Sequence, residues 1–158
     1  MDLQYEQLSK LPLLRRIRAA RAISKVVCAE AANDKMKQVS MWGLLAREFA
    51  LVALDGNHVA GHVSVEGPIV GALYVDPDYR GKYIATKLVA KATQFVISQK
   101  LEPVAYCNEN SVKTFEHCDY EEAATQDKLN RTKMRHPIEL QQVQYALGQV
   151  SQCVIKAA

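Results

Sequence analysis

No pair of cysteines stands at metal or redox spacing in this chain of 158 residues. Cys28, Cys107, Cys118 and Cys153 are scattered, with no CxxC and no histidines at finger spacing. That pattern excludes a zinc ribbon and a thioredoxin-type dithiol, so reduced and mostly buried thiols are expected. His58 and His62 are four residues apart in a predicted strand, about 13 Å at ~3.3 Å per residue, too far to share an ion. No metal site is expected. Long apolar runs are also missing. None approaches the roughly 18 residues that span a bilayer. The start, MDLQYEQLSK, has no basic n-region followed by an apolar h-region. We therefore expect no membrane span, signal peptide or lipid anchor, and a cytoplasmic location.

What is present describes one globular domain over residues 1–158. Apolar residues make up 49% and charged ones 23%, and the length suffices for a continuous core without disulfides. The net charge of +3 is mild, and much of it comes from Arg15, Arg16, Arg18, Arg21 and Lys25. These share a predicted helix with Leu13, Leu14, Ile17, Ala20 and Val27, and the spacing puts the two sets on largely opposite faces. A solvated basic face explains them. No aromatic residues are interleaved there and no binding motif accompanies them, so nucleic acid is not expected as a partner.

Hydrophobic spacing predicts a short strand over residues 2–8, a helix over 11–29 and a second helix over 34–46. The period then changes. Phe49–Leu54 and His58–Val65 read as strands joined by the hairpin turn Asp55-Gly56-Asn57, and Ile69–Val75 follows Gly67-Pro68 as a third strand of one meander. Ile84, Leu88, Val89, Ala92, Phe95 and Val96 predict a helix up to about Lys100. Pro103–Cys107 reads as a strand, Asn108–Ser111 as the capped start of a helix to about Cys118, and Tyr120–Ala124 as a further strand. This is a mixed, mostly antiparallel α/β sheet with helices on both faces. Beyond Thr125, Gln126–Arg135 is polar and basic, 140–150 fits helix and strand alike, and Cys153–Ile155 is a plausible closing strand. Residues 125–150 read as an insertion or irregular segment, able to pair with a second subunit in a homodimer.

The chemistry concentrates in VDPDYRGKYIATKL, Val75 to Leu88. A strand ends at a proline turn and Arg80-Gly81 opens a helix. Backbone N–H groups at a helix start lack intrahelical partners, and the aligned peptide dipoles leave that end partly positive. Arg80 adds a forked donor, Gly81 removes a blocking side chain, and Lys82 and Lys87 raise the local potential. These features suit an anion cradle. It is neither a Walker loop, GxxxxGK[ST], nor the dinucleotide GxGxxG.

The series Leu73-x-Val75-x-Pro77-x-x-Arg80-Gly81-x-x-Ile84-Ala85-x-x-Leu88 resembles the acetyl-CoA-binding motif of the GNAT family of N-acetyltransferases, [QR]xxGx[GA] at its core. Asn108-Glu109-x-Ser111-x-x-x-Phe115-x-x-x-Asp119-Tyr120 resembles the same family's later segment, N-x-x-[AS]-x-x-x-Tyr-x-x-x-Gly-[FY]. The resemblance covers about residues 49–124. It implies acetyl-CoA as co-substrate, its pantetheine arm pairing with the backbone of Leu73, Tyr74 and Val75. The pyrophosphate would sit on the amides of Arg80, Gly81, Lys82, Tyr83, Ile84 and Ala85, with Thr86 nearby. Asn108, Ser111 and Phe115 would flank the arm.

Two positions depart from the family pattern. Tyr83 replaces a glycine, and a helical φ there would be open to tyrosine. Phe115 replaces a tyrosine that commonly protonates the leaving thiolate, and phenylalanine has no proton to give. Under the resemblance a neutral primary amine attacks the thioester directly, with a backbone amide near Val75 polarising its carbonyl. Candidate bases are Glu48, Glu66 and Glu122; Tyr74 or Tyr106 would substitute for the missing acid. Cys107 reads as a buried packing thiol rather than an acetyl carrier. The alternative is a non-catalytic member that binds acyl-CoA or a protein partner.

Overall fold

The computed structural model describes residues 3–34, 43, 45, 49–126 and 131–137. Strand β1 (Gln4–Gln7) leads through a 3-10 turn into helix α1 (Leu13–Asp34). The meander follows as β2 (Phe49–Asp55), β3 (His58–Glu66) and β4 (Ile69–Val75), and then helix α2 (Ile84–Ser98). Strand β5 (Val104–Cys107), helix α3 (Glu109–Glu116) and strands β6 (Glu121–Gln126) and β7 (Thr132–Arg135) complete the described chain. The sheet order is β1-β2-β3-β4-β5-β7-β6, and only β4 and β5 run parallel. Among the described residues no helix is long and apolar enough to cross a membrane.

Strand alternation divides the core in two. Phe49↔Val65 and Leu51↔Val63 face one side, where Ile84, Leu88, Val89, Ala92 and Val96 of α2 and Phe115 of α3 pack on them. Ala50↔Ser64 and Val52↔His62 face the other, against Ala19, Ala20 and Ile23 of α1. Helices therefore cover both faces of the sheet. Gly61 lets α2 approach closely: a Cβ there would lie 2.9 Å from the Tyr74 carbonyl oxygen and 3.2 Å from Leu88 Cδ1.

Helix α1 differs from its sequence reading. Ala19, Ala20 and Ile23 face the sheet, whereas Leu13, Leu14 and Ile17 are 69%, 73% and 38% exposed, on the same outer surface as Arg18 and Arg21. Periodicity identifies stripes that can be buried; the contact surface decides which one is. Here two small alanines allow close approach to β2, and Arg16 Nη2 donates to the Leu45 carbonyl at 2.8 Å.

The polar stretch after Thr125 also holds more structure than its composition suggested. Thr132–Arg135 is a strand inserted between β5 and β6, antiparallel to both. Met134, fully buried, is its one apolar residue, too little for an alternation signal. The second predicted helix (34–46), apart from positions 34, 43 and 45, and the predicted closing strand (153–155) lie outside the described residues.

Between β4 and β5 the sheet is held at one end only. Ile69↔Val104 is their single register pair, with Val104 N–H donating to the Pro68 carbonyl at 2.9 Å. Beyond it β4 bulges, with Ala72 at φ +49° and its pairing to β3 interrupted between His62 and Ser64. A bulge bends the strand that carries it. The C-terminal halves of β4 and β5 consequently share no ladder, leaving a gap that opens toward Val75 and Cys107.

Candidate functional site

The loop that follows β4 is clasped to the β2–β3 hairpin. Asp76 accepts from Asp78 N–H at 3.0 Å through Oδ1, and its Oδ2 lies 3.0 Å from His58 Nε2. The His58 ring stacks on Tyr79, centroids 5.3 Å apart, and the Tyr79 hydroxyl donates to Asp55 Oδ2 at 2.9 Å. That hydrogen bond holds the Tyr79 phenol above its ordinary pKa, with desolvation and nearby carboxylates adding to it. Lys82 Nζ reaches the Asp78 carbonyl at 3.1 Å and sits 4.9 Å over the Tyr79 ring. Arg80 Nε donates back to the Val75 carbonyl at 3.1 Å.

The chain then turns into α2 through two left-handed residues. Gly81 has φ +75° and Tyr83 φ +57°, ψ +21°. Tyr83 is therefore not in the right-handed helical region expected for it. It occupies a conformation native to glycine, at about 1–2 kcal/mol for an L-residue, and its side chain is 75% exposed. The Tyr83 side chain makes no cap hydrogen bond, no acidic residue lies in the first turn of α2, and among the described residues, its chain neighbours aside, no heavy atom stands within 4 Å of a Cβ built on Gly81. The first-turn amides of Ile84, Ala85 and Thr86 have no intrahelical acceptors. An anion placed here would meet open space, aligned N–H groups and the positive end of the helix dipole.

On the far side of the gap, Asn108 begins α3. Its Oδ1 accepts from Ser111 N–H at 3.0 Å and from Ser111 Oγ at 2.9 Å, so both polar side chains predicted to flank a ligand are engaged in a helix cap. Phe115 is 3% exposed and meets Tyr120 edge-on, ring centroids 5.0 Å apart. Tyr120 in turn shares a buried 2.8 Å hydrogen bond with Thr93 of α2. Cys107 and Cys118 are buried free thiols. Burial pushes the Cys107 thiol up to about 11, with Ser111 and Arg131 pulling the other way. A thiol so disposed is protonated at neutral pH and suited to packing rather than to nucleophilic attack.

The catalytic candidates are dispersed. Tyr74 is the register partner of His62 and shares the α1-side face with it, mostly buried. Tyr106 lies on that same side of the sheet, since its neighbours Ala105 and Cys107 belong to the α2-side core. Glu66 pairs with Ile69 at the closed end of the gap and is exposed. Glu122 is not brought to the gap: it is exposed on edge strand β6, opposite Met134 on the α2-side face, with β7 and β5 between it and β4. Glu48 lies outside the described residues. The structure adds His62 and Ser64, both fully buried on the α1-side face of β3. Their alternation with Val63 and Val65 was the signal that marked them. Among the described residues no cluster of His, Cys, Asp and Glu could hold a metal ion.

Comparison with known proteins places this geometry. A sequence family described as acetyltransferase (GNAT) family matches residues 16–120. No curated protein matches by sequence. Among solved structures, an acyl-CoA N-acyltransferase from Pseudomonas aeruginosa is similar at TM-score 0.66 and 13% identity, over 86% of this chain and 99% of that one. Tetrahymena GCN5 is similar at TM-score 0.65 and 16% identity, over 88% and 97%. The PaiA N-acetyltransferase from Thermoplasma acidophilum, solved in complex with coenzyme A, gives TM-score 0.63 and 18% identity over 87% and 100%. At these identities the likeness is one of fold.

Proposed function

The chain belongs to the GNAT acetyltransferase family, and from that premise we propose that it transfers an acetyl group from acetyl-CoA to a primary amine. The observation that carries this reading is the uncapped start of α2 beside a strand that parts from its neighbour. In this reading the pyrophosphate is held by amides from Gly81 to Ala85, with Thr86 nearby, since the Arg80 N–H expected among them already donates to the Pro77 carbonyl at 3.3 Å, and Arg80, Lys82 and Lys87 supply positive potential. The arm lies along Leu73, Tyr74 and Val75, and the open space at Gly81 lets the phosphates approach the backbone. Coenzyme A in the similar PaiA structure supports the ligand class.

The reaction forms a C–N bond and breaks a C–S bond. A primary ammonium with pKa about 10.4 first loses a proton, in this reading to Glu66 through water, the candidate base opposite Ile69 of β4. The departing CoA thiolate, a thiol of pKa about 8.5, takes a proton from Tyr106, Tyr74 or water. Loss of a dedicated acid costs on the order of 10²–10⁴ in rate, which leaves catalysis intact.

A second reading, a non-catalytic acyl-CoA binder, is favoured by one observation: Phe115 is buried against Tyr120 and carries no proton to donate. Incubating the protein with acetyl-CoA and a panel of primary amines while following free thiol release separates the two. The transferase reading expects amine-dependent release; tight acetyl-CoA binding with no release on any amine supports the second. For both, Arg80→Glu is expected to lower acetyl-CoA affinity at least tenfold by isothermal titration, and unchanged affinity would refute the loop assignment.

A further inference from the structure

The outward face of α1 has an apolar end and a basic line on one surface. Leu14, Arg18, Arg21 and Lys25 recur at helical spacing and so stand in a row along the helix, while Leu13 and Ile17 form a second row beside it. All six are exposed, and Ala19, Ala20 and Ile23 hold the opposite side of the helix to the sheet. Half of the exposed large apolar side chains among the described residues are Leu13, Leu14 and Ile17, on a single stretch of one helix.

Residues 13–25 contain no acidic side chain. Among the described residues none of Arg15, Arg18, Arg21 and Lys25 is paired with a carboxylate. Arg15 and Arg18 also line a shallow recess that Gly56 and Asn57, at the tip of the β2–β3 hairpin, border. Cations gathered without an internal anion repel one another and favour an anionic partner. The pattern decides which kind. A helix docked on this face would need apolar contacts that continue to i+7 from Leu14, and that position is Arg21. A stable protein interface also buries about 800 Å² per partner around a core poor in charge. Three apolar side chains at one end of a helix do not supply such a core. A lipid surface asks for less: a few apolar side chains that reach the acyl boundary, and cations whose flexible stems keep them at headgroup depth.

We propose that the outward face of α1 docks the protein on an anionic lipid surface, with Leu13, Leu14 and Ile17 entering the acyl boundary and Arg15, Arg18, Arg21 and Lys25 meeting the headgroups. This surface lies across the sheet from α2, and its binding requires neither acetyl-CoA nor transfer chemistry. Flotation of the full chain with vesicles is the test. Binding to phosphatidylcholine vesicles containing about 30% phosphatidylserine is expected to exceed binding to pure phosphatidylcholine about tenfold or more, and to weaken as salt rises from ~0.1 to ~0.5 M. Leu13→Ser with Leu14→Ser, and Arg18→Glu with Arg21→Glu, are each expected to lower binding to the anionic vesicles about tenfold. These side chains are exposed, so both variants should keep the unfolding midpoint of the unaltered chain in urea. Where a double variant is less stable, Leu14→Ser and Arg21→Glu alone give the same comparison. Absence of binding to the anionic vesicles, or equal binding to both vesicle types, overturns the proposal. Undiminished binding by the leucine variant overturns it as well, because charge alone would then hold the protein. Capture of soluble poly-L-glutamate without vesicle binding would assign the face to an acidic protein and likewise overturn it.

Discussion

Two helices begin beside the same gap, and their first turns are finished differently. At α3, Asn108 accepts the Ser111 amide, its Oδ1 also holds the Ser111 hydroxyl, and Glu109 places a negative charge in the first turn. At α2, the Tyr83 side chain makes no cap hydrogen bond, the first turn holds no acid, and Gly81 leaves open space. Both ends have the same peptide dipole. The difference lies in whether the chain's own side chains have already satisfied it, which is why the proposed anion site is assigned to α2 and not to α3.

Making α2 resemble α3 would produce the largest effect. Tyr83→Asp puts a carboxylate at the helix start, and repulsion across about 6 Å of partly screened space is worth about 1–2 kcal/mol. Acetyl-CoA affinity measured by titration is expected to fall about five- to thirtyfold, with most of the loss recovered by Tyr83→Asn. The reverse operation, Asn108→Ala, removes the α3 cap. It should lower unfolding free energy by about 1 kcal/mol in a urea melt while leaving acetyl-CoA affinity within twofold. A larger loss of affinity would mean that Asn108 serves the ligand and not the helix. Smallest is Tyr83→Gly, which relieves a left-handed L-residue but adds backbone entropy to the unfolded chain. A net gain of up to about 1 kcal/mol is expected, with binding unchanged.

The meander and the anion loop were legible because they rest on local rules. Asp55-Gly56-Asn57 dictates a hairpin, alternation assigns Phe49 and Leu51 to one face, and Arg80-Gly81 stands before an apolar period of 3.6. What was not legible depended on partners distant in the chain. The outward placement of Leu13, Leu14 and Ile17 follows from the close seat of Ala19 and Ala20 on β2. Strand β7, Thr-Lys-Met-Arg, exists because β5 and β6 both offer it hydrogen bonds. The conformation of Tyr83 is imposed by the turn from Gly81 into α2, against the residue's own preference. Of the candidate site, the strand, the Arg80-Gly81 loop and the helix that follows could be read in advance. The engagement of Asn108 and Ser111 with each other, and the distance of Glu122 from the gap, required the fold.

The clasp of His58, Tyr79, Asp55 and Asp76 also bears on the thermodynamics of ligand capture. A mobile loop of seven residues would have to be ordered by its ligand, at roughly 1–2 kcal/mol of conformational entropy per residue. Here much of that ordering is completed during folding, by contacts to the β2–β3 hairpin. Pre-organisation of this kind lets a greater share of the phosphate contacts appear as affinity. Loosening the His58 or Tyr79 contact would therefore be expected to change the entropy of binding.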